Sequence, residues 1–138
     1  MTRAVLDTNI VISALLFEGV ASALVPAWRN HRFAFLVSQA LLAEYIRVLH
    51  YPKFRLTQED IRHLLEEDIL PFITPVKVIR TPRVVLADPA DDHVLACAIA
   101  GKADLLVTGD PHLLKLIRHR RVPMVTLSQF LHQLGLSS

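Results

Sequence analysis

The sequence contains very little cysteine and glycine, and this scarcity excludes several classes of protein. Cys97 is the single cysteine among 138 residues, so the chain can form neither an intramolecular disulfide nor a cysteine-based zinc site. Its alanine and isoleucine neighbours predict a buried position in a helix rather than a reactive thiol. Only four glycines are present, and they form neither a P-loop nor a dinucleotide fingerprint. Nucleotide binding through either motif is therefore excluded.

The sequence also has no long apolar run, no flexible linker and little net charge. No stretch approaches the ~18–20 apolar residues of a membrane span. Asp7 and Glu18 interrupt the N-terminal region, which does not resemble a secretory signal. We therefore expect a cytoplasmic protein that does not associate with membranes. The net charge of +2 is too small to indicate a polyanion partner by itself. With no linker, residues 1–138 are expected to form a single domain.

Helix and strand patterns alternate along the chain, which is typical of βα units around a mostly parallel sheet. Strands are predicted at residues 3–6, 33–37, 76–79, 104–108 and 122–126, and Pro123 places the last one at an edge. Ser38, Thr57, Asp110 and Ser128 are predicted to cap the helices that follow them. The fold class is therefore α/β.

Four acidic residues stand where carboxylates could converge. Asp7 and Asp110 follow predicted strands, Asp92 precedes an apolar helix and Glu44 interrupts another one. In open α/β sheets, ligands bind at the carboxyl ends of the strands. Two carboxylates there repel each other by about 4 kcal/mol at ~4 Å and an effective dielectric near 20. A hard divalent cation such as Mg²⁺ or Mn²⁺ would neutralise such a cluster.

Each acid also has an ordinary interpretation. Asp110 could serve only as a helix N-cap, because aspartate is among the best capping residues. Glu44 could be an exposed helical residue of the usual kind. Asp7 is harder to explain in this way, since folding does not require an acid at the ligand-binding edge of the sheet. The conjunction of the four positions, more than any single one, favours a shared site.

Four segments, in order along the chain, carry a resemblance to a known family. They are residues 5–9 (Val-Leu-Asp-Thr-Asn), Glu44, residues 88–92 (Asp-Pro-Ala-Asp-Asp) and residues 107–110 (Val-Thr-Gly-Asp). Together they resemble the PIN domain, and most closely the VapC-type toxins of prokaryotic toxin–antitoxin modules. The resemblance implies a three-layer α/β/α fold with a parallel, roughly five-stranded sheet. It also implies a metal-dependent endoribonuclease that uses Mg²⁺ or Mn²⁺, acts on RNA, binds a cognate antitoxin and forms a homodimer or higher homo-oligomer.

The resemblance assigns roles to particular residues. The catalytic and metal-binding residues that it implies are Asp7, Glu44, Asp92 and Asp110. Asp92 is preferred to Asp91 because it stands directly before the apolar part of the next helix, and Asp91 stays the alternative acid. Asn9 and Thr108 match polar positions that orient the carboxylates. Ala90 departs from the pattern, since many relatives carry another acid there.

A basic run follows the helix that begins after Asp110. Its members Arg118, Arg120 and Arg121 are candidate contacts for RNA phosphates, and a solvated surface explains them equally well. Two other functions compete with the nuclease hypothesis. A catalytically silent PIN-like module would bind RNA or protein without cutting, and Mn²⁺ would not stabilise it. A phospho-acceptor domain would need a lysine at a strand end, a role for which Lys77 and Lys102 are poorly placed.

Overall fold

The computed structural model describes residues 1–79, 89–115, 118–119 and 122–136, with the backbone alone for residues 89–92 and 118–119. The strands are β1 (Arg3–Leu6), β2 (Ala34–Ser38), β3 (Ile73–Val76), β4 (Leu105–Val107), β5 (Arg118–His119) and β6 (Val122–Val125). The α-helices are α1 (Thr8–Leu16), α2 (Leu24–Arg29), α3 (Gln39–Leu49), α4 (Gln58–His63), α5 (Pro89–Ala100), α6 (Pro111–Leu114) and α7 (Leu127–Gln133). Short 3-10 helices cover Val20–Ala23, Pro52–Phe54 and Leu70–Phe72, and a π-helical segment covers Leu64–Ile69.

The described strands form one sheet in the order β3-β2-β1-β4-β6-β5. β1 lies inside the sheet and pairs in parallel with β2 on one side and β4 on the other. β3 pairs in parallel with β2, and β6 with β4. The two-residue strand β5 adds an antiparallel edge beside β6. The predicted five-stranded parallel sheet is therefore confirmed, with one short strand added.

The inner strands are buried on both faces of the sheet. Successive residues of β1 and β4, whose side chains point in alternate directions, are all buried from Ala4 to Leu6 and from Leu105 to Val107. Such double burial requires helices on both faces and is typical of parallel sheets. The structure accordingly has the three-layer α/β/α architecture of the prediction.

In the described part of the chain, two hydrophobic cores hold the layers together. The larger core surrounds the sheet and includes the fully buried rings of Trp28, Phe35 and Phe130. The smaller core joins α1, α3 and α4 through Ile12, Val48, Leu49 and Ile61. Tyr51 and Phe54 pack against the smaller core. This packing fixes the chain after α3 beside α1, and therefore near the end of β1.

Three of the four predicted helix caps are confirmed and one is wrong. The side chains of Ser38, Thr57 and Asp110 accept hydrogen bonds from the backbone N–H groups of the helices that follow them. The cap of α7 is Thr126, not Ser128. Thr126 forms a capping box with a glutamine three residues later, which satisfies one N–H group more than a serine cap alone.

Two strand predictions are also wrong. β3 covers Ile73–Val76 rather than residues 76–79, so that Pro75 lies inside the strand. β3 is the outermost parallel strand, and a proline without an N–H group is tolerated at such an edge. Pro123 does not mark an edge strand, because β5 pairs with β6 on its outer side.

Among the described residues, no single helix has the length and hydrophobicity to cross a membrane. Within the same described ranges, α1 and the residues Val20–Arg29 meet these two criteria together, as a pair bent by 87°. Ile10, Val11, Leu24 and Trp28 of this pair belong to the larger core.

Candidate active site

Asp7 stands at the point where β1 ends and α1 begins. Its backbone N–H donates to the carbonyl of Val107 at 2.9 Å, which extends the pairing of β1 with β4. Its Oδ1 accepts from the backbone N–H of Thr8 at 2.8 Å and so caps α1. Asp7 is only 7% exposed. A carboxylate is thus held in a recess at the carboxyl end of a central strand, where α/β proteins bind their ligands.

Thr108 connects Asp7 to a second acid. Its hydroxyl donates to Oδ2 of Asp7 at 2.7 Å and accepts from the backbone N–H of Asp110 at 3.0 Å. The Asp110 carboxylate in turn accepts from the backbone N–H of His112 at 2.8 Å and caps α6. Thr108 is fully buried, so these bonds form in a region of low dielectric where they are strong.

Glu44 lies on α3, and the next residue of this helix, Tyr45, forms a hydrogen bond with β1. The hydroxyl of Tyr45 donates to the carbonyl of Leu6 at 2.5 Å. Burial raises the pKa of Tyr45 well above its usual value, and charge on Cys97 and Asp7 raises it further. Tyr45 therefore stays a hydrogen-bond donor at neutral pH. Through this bond, α3 sits against the end of β1 and presents Glu44, whose side chain is 13% exposed.

Asp7, Glu44 and Asp110 line one cavity of about 180 Å³. They come from the end of β1, from α3 and from the segment after β4, which are far apart in sequence. The other lining residues are Thr8, Asn9, Arg47, Val48, Tyr51, Lys53 and Phe54. Carboxylates from distant parts of the chain therefore share one recess with two cationic side chains.

The lining partly suits a hard divalent cation. Carboxylate oxygens are the ligands that Mg²⁺ prefers, and the buried Oγ1 of Thr8 has no hydrogen-bond partner among the described residues. In the part of the chain whose side chains are described, however, no three His, Cys, Asp or Glu residues are close enough to hold an ion. Arg47 also binds both oxygens of Glu44, through Nε at 3.1 Å and Nη2 at 2.5 Å. A cation would have to replace Arg47 as the partner of Glu44.

A family model described as the PIN domain matches residues 3–112 of the chain. The chain belongs to the PIN domain family. It is also similar to a chain in the crystal structure of VapBC2 from Rickettsia felis bound to a DNA fragment from their promoter. The likeness has a TM-score of 0.58 at 16% sequence identity and covers 89% of this chain and 97% of that one, which supports the fold. No curated protein matches the sequence.

The structure of this PIN domain brings together three of the four predicted acids, with Asn9 exposed at the cavity rim. Thr108 lies behind them and its hydroxyl donates to Asp7, while its role in orienting a catalytic carboxylate stays a prediction. The side chains of Asp92 and Asp91 lie outside the described residues, although their backbone belongs to α5. The predicted RNA contacts lie outside as well: Arg118 is described by its backbone alone, and Arg120 and Arg121 are not described.

The sequence prediction missed the basic and aromatic side of this PIN cavity. The guanidinium of Arg47 lies 5.4 Å from the ring centre of Tyr51, and Nζ of Lys53 lies 5.2 Å from that of Phe54. A signal was present in the spacing. Arg47 follows Glu44 by three residues on one helix, a separation at which opposite charges meet.

Proposed function

We propose that this PIN domain is a divalent-cation-dependent endoribonuclease that hydrolyses RNA phosphodiester bonds, and that it is the toxin of a toxin–antitoxin module. The observation that carries the proposal is the meeting of Asp7, Glu44 and Asp110 in one cavity. Carboxylates that share a recess repel one another, and a cation among them relieves this repulsion. Family membership supports the enzymatic part, because PIN domains are generally nucleases.

Phosphodiester hydrolysis needs an acidic water molecule and relief for the charge on the leaving oxygen. Asp7, Glu44 and Asp110 would hold Mg²⁺ or Mn²⁺, with Asp92 as the fourth acid and Asp91 as its alternative. A bound cation supplies both effects, since it lowers the pKa of its water and stabilises phosphate charge.

The protein's own groups position the reacting atoms. The hydroxyl of Thr108 and the N–H of Thr8 each bind one oxygen of Asp7, so that the carboxylate has a fixed orientation. Asn9 is exposed at the rim and would contact a phosphate or an outer carboxylate. Arg47 and Lys53 line the same cavity and would supply positive charge for the phosphates of a bound RNA.

Cleavage of a structured RNA in the presence of Mn²⁺ or Mg²⁺ tests the enzymatic proposal. Asp7→Asn and Glu44→Gln should each lower the cleavage rate by about a hundredfold or more, because several kcal/mol of transition-state stabilisation are lost. Glu59→Gln is the matched control, since Glu59 also pairs with an arginine three residues later but lies on the surface, far more exposed than Glu44. EDTA should abolish cleavage by the wild type. Equal cleavage by the wild type and Asp7→Asn would show that this cavity is not the catalytic site.

A catalytically silent binding module is the second candidate. The pairing of Glu44 with Arg47 favours it, because this contact neutralises one acid without a cation. The two functions differ in their response to Mn²⁺. A cation site predicts a melting temperature that rises with Mn²⁺ concentration, and a silent module predicts no rise.

The toxin assignment is tested separately from the chemistry. It is supported by the similarity of the fold to a chain of VapBC2, in a structure that includes promoter DNA. Induced expression in a bacterium should arrest growth, and expression of Asp7→Asn should not. If a small protein is encoded beside this chain and is its antitoxin, co-expression of that protein should restore growth. Normal growth during high expression of the wild type would contradict the toxin role.

A further inference from the structure

Arg47 forms an ion pair with Glu44, whose carboxylate the proposed function assigns to a divalent cation. Its guanidinium binds Glu44 through two nitrogens, Nε and Nη2, in the bidentate geometry that makes such pairs strong. The hydrogen bond to Glu44 raises the pKa of Arg47 above its usual value, and a second hydrogen bond to Tyr51 raises this pKa further. The guanidinium is therefore a permanent positive charge at the cavity.

A second ion pair in the chain shows what is unusual about this one. Arg62 pairs with Glu59 at the same three-residue spacing, and both side chains of that pair are largely exposed, at 63% and 68%. In the cavity pair, Arg47 is similarly exposed at 58%, whereas Glu44 is only 13% exposed. The acid lies in the recess, whereas the base that pairs with it reaches the surface.

Besides its ion pair with Glu44, the guanidinium of Arg47 has an aromatic contact at the rim of the cavity. Arg47 stacks on Tyr51, and Lys53 stands over Phe54 a few residues later. Tyr51 and Phe54 pack on the smaller hydrophobic core, so the segment that follows α3 is anchored. Both cations therefore border the cavity on supported aromatic rings. Guanidinium and ammonium groups placed in this way bind phosphate oxygens.

We propose that Arg47 and Lys53 form the phosphate-binding rim of this cavity, and that Glu44 retains Arg47 until a divalent cation takes the carboxylate. This inference rests on the proposed function. When Glu44 gains a cation as its partner, Arg47 loses its counter-charge and turns to a phosphodiester oxygen of RNA. Cation and RNA consequently strengthen each other's binding, and this coupling must be equal in both directions.

The first test measures Mn²⁺ binding by calorimetry, without RNA and without turnover. Arg47→Gln should bind Mn²⁺ more tightly than the wild type by about two- to fivefold, because no ion pair has to be broken. Arg47→Lys, which keeps the charge but not the bidentate contact, should lie between them and serves as a second variant. Arg62→Gln breaks the matched surface pair and should leave the affinity unchanged. An unchanged or weaker affinity in Arg47→Gln would overturn the proposal.

The second test measures binding of fluorescein-labelled oligouridylate by anisotropy, in EDTA and in Ca²⁺. Ca²⁺ should strengthen binding to the wild type, and the gain should be smaller in Arg47→Gln. Lys53→Gln should weaken binding in both buffers and lower the slope of log affinity against log salt by about 0.7. Lys102→Gln is the charge-matched control. Lys102 stands before the amino end of β4, whereas the cavity lies at the carboxyl ends of the strands. The same gain from Ca²⁺ in Arg47→Gln as in the wild type would contradict the exchange of partners.

The two proposals fail in different ways. A wild type that binds Mn²⁺ and cleaves RNA, together with an Arg47→Gln variant of the same Mn²⁺ affinity, overturns the role of Arg47 alone. A wild type that neither binds Mn²⁺ nor cleaves RNA overturns the proposed function, and the cation-dependent exchange with it.

Discussion

The substitution Thr108→Val tests how the carboxylate of Asp7 is held in its orientation. Thr108 is fully buried, and its hydroxyl bonds both to Oδ2 of Asp7 and to the backbone N–H of Asp110. Valine has nearly the same volume and shape but carries a methyl group in place of the hydroxyl. The variant therefore removes both hydrogen bonds and creates no large cavity.

The expected loss follows from these two contacts. A hydrogen bond to a charged group contributes about 1.5–3 kcal/mol, and a buried donor left without an acceptor costs about 1–3 kcal/mol. Because Asp110 is only half-buried, water recovers part of the second loss. We expect the free energy of unfolding to fall by about 2–4 kcal/mol. With a urea dependence of about 2 kcal/mol per molar, the unfolding midpoint should fall by roughly 1–2 M.

Fluorescence of Trp28, the single tryptophan of the chain, reports unfolding because its ring is fully buried. Thr108→Ser keeps the hydroxyl and should lose only about 1 kcal/mol through its missing methyl group. In an Asp7→Asn background, Thr108→Val should be less harmful, with a coupling energy of about 1–2 kcal/mol. If the valine variant were as stable as the serine variant, or if no coupling to Asp7 were found, the reasoning would be refuted.

Further predictions concern the support of the site. Gly101→Ala should destabilise the protein by about 1–3 kcal/mol, since its Cβ would meet atoms at 2.9 to 3.1 Å, whereas Gly109→Ala, with nothing within 4 Å, should be neutral by urea unfolding. Tyr45→Phe leaves the Leu6 carbonyl without its donor and should lower the melting temperature by several degrees. Burial raises the pKa of Cys97 from 9.0 to about 11, so stability is intact below pH 9 and falls as pH rises towards 11, where Cys97→Ala should lose less. The thiol should also resist Ellman's reagent at pH 8 until the chain unfolds.

The convergence of Asp7 and Asp110 could be predicted because it depends only on strand order and direction. Both residues follow apolar strands, and the carboxyl ends of parallel strands share one edge. Neighbouring strands bring these ends together, as β1 and β4 do here. The helix caps at Ser38, Thr57 and Asp110 were predictable for a similar reason, since capping depends on a few adjacent residues.

The two strand predictions are wrong because they depend on contacts between strands that are distant in sequence. The predicted bounds of β3 and the edge position predicted from Pro123 are wrong because the effect of a proline depends on which side of its strand is paired. The cationic rim was missed because two separate contacts create it. One is the ion pair of Arg47 with Glu44, and the other is the smaller core that holds Tyr51 and Phe54 beside α1. The ion pair could have been predicted from the three-residue spacing of its members, whereas the packing of Tyr51 and Phe54 depends on tertiary contacts.

Calorimetric titration with Mn²⁺ is the most direct test of the central claim that Asp7, Glu44 and Asp110 act together as a cation site. The wild type should bind Mn²⁺, and Asp7→Asn, Glu44→Gln and Asp110→Asn should each weaken binding by about tenfold or more. Glu59→Gln, the exposed counterpart of the Glu44 variant, should bind as the wild type does. If the wild type did not bind Mn²⁺, or if the three site variants bound it with unchanged affinity, the account of this cavity would be contradicted.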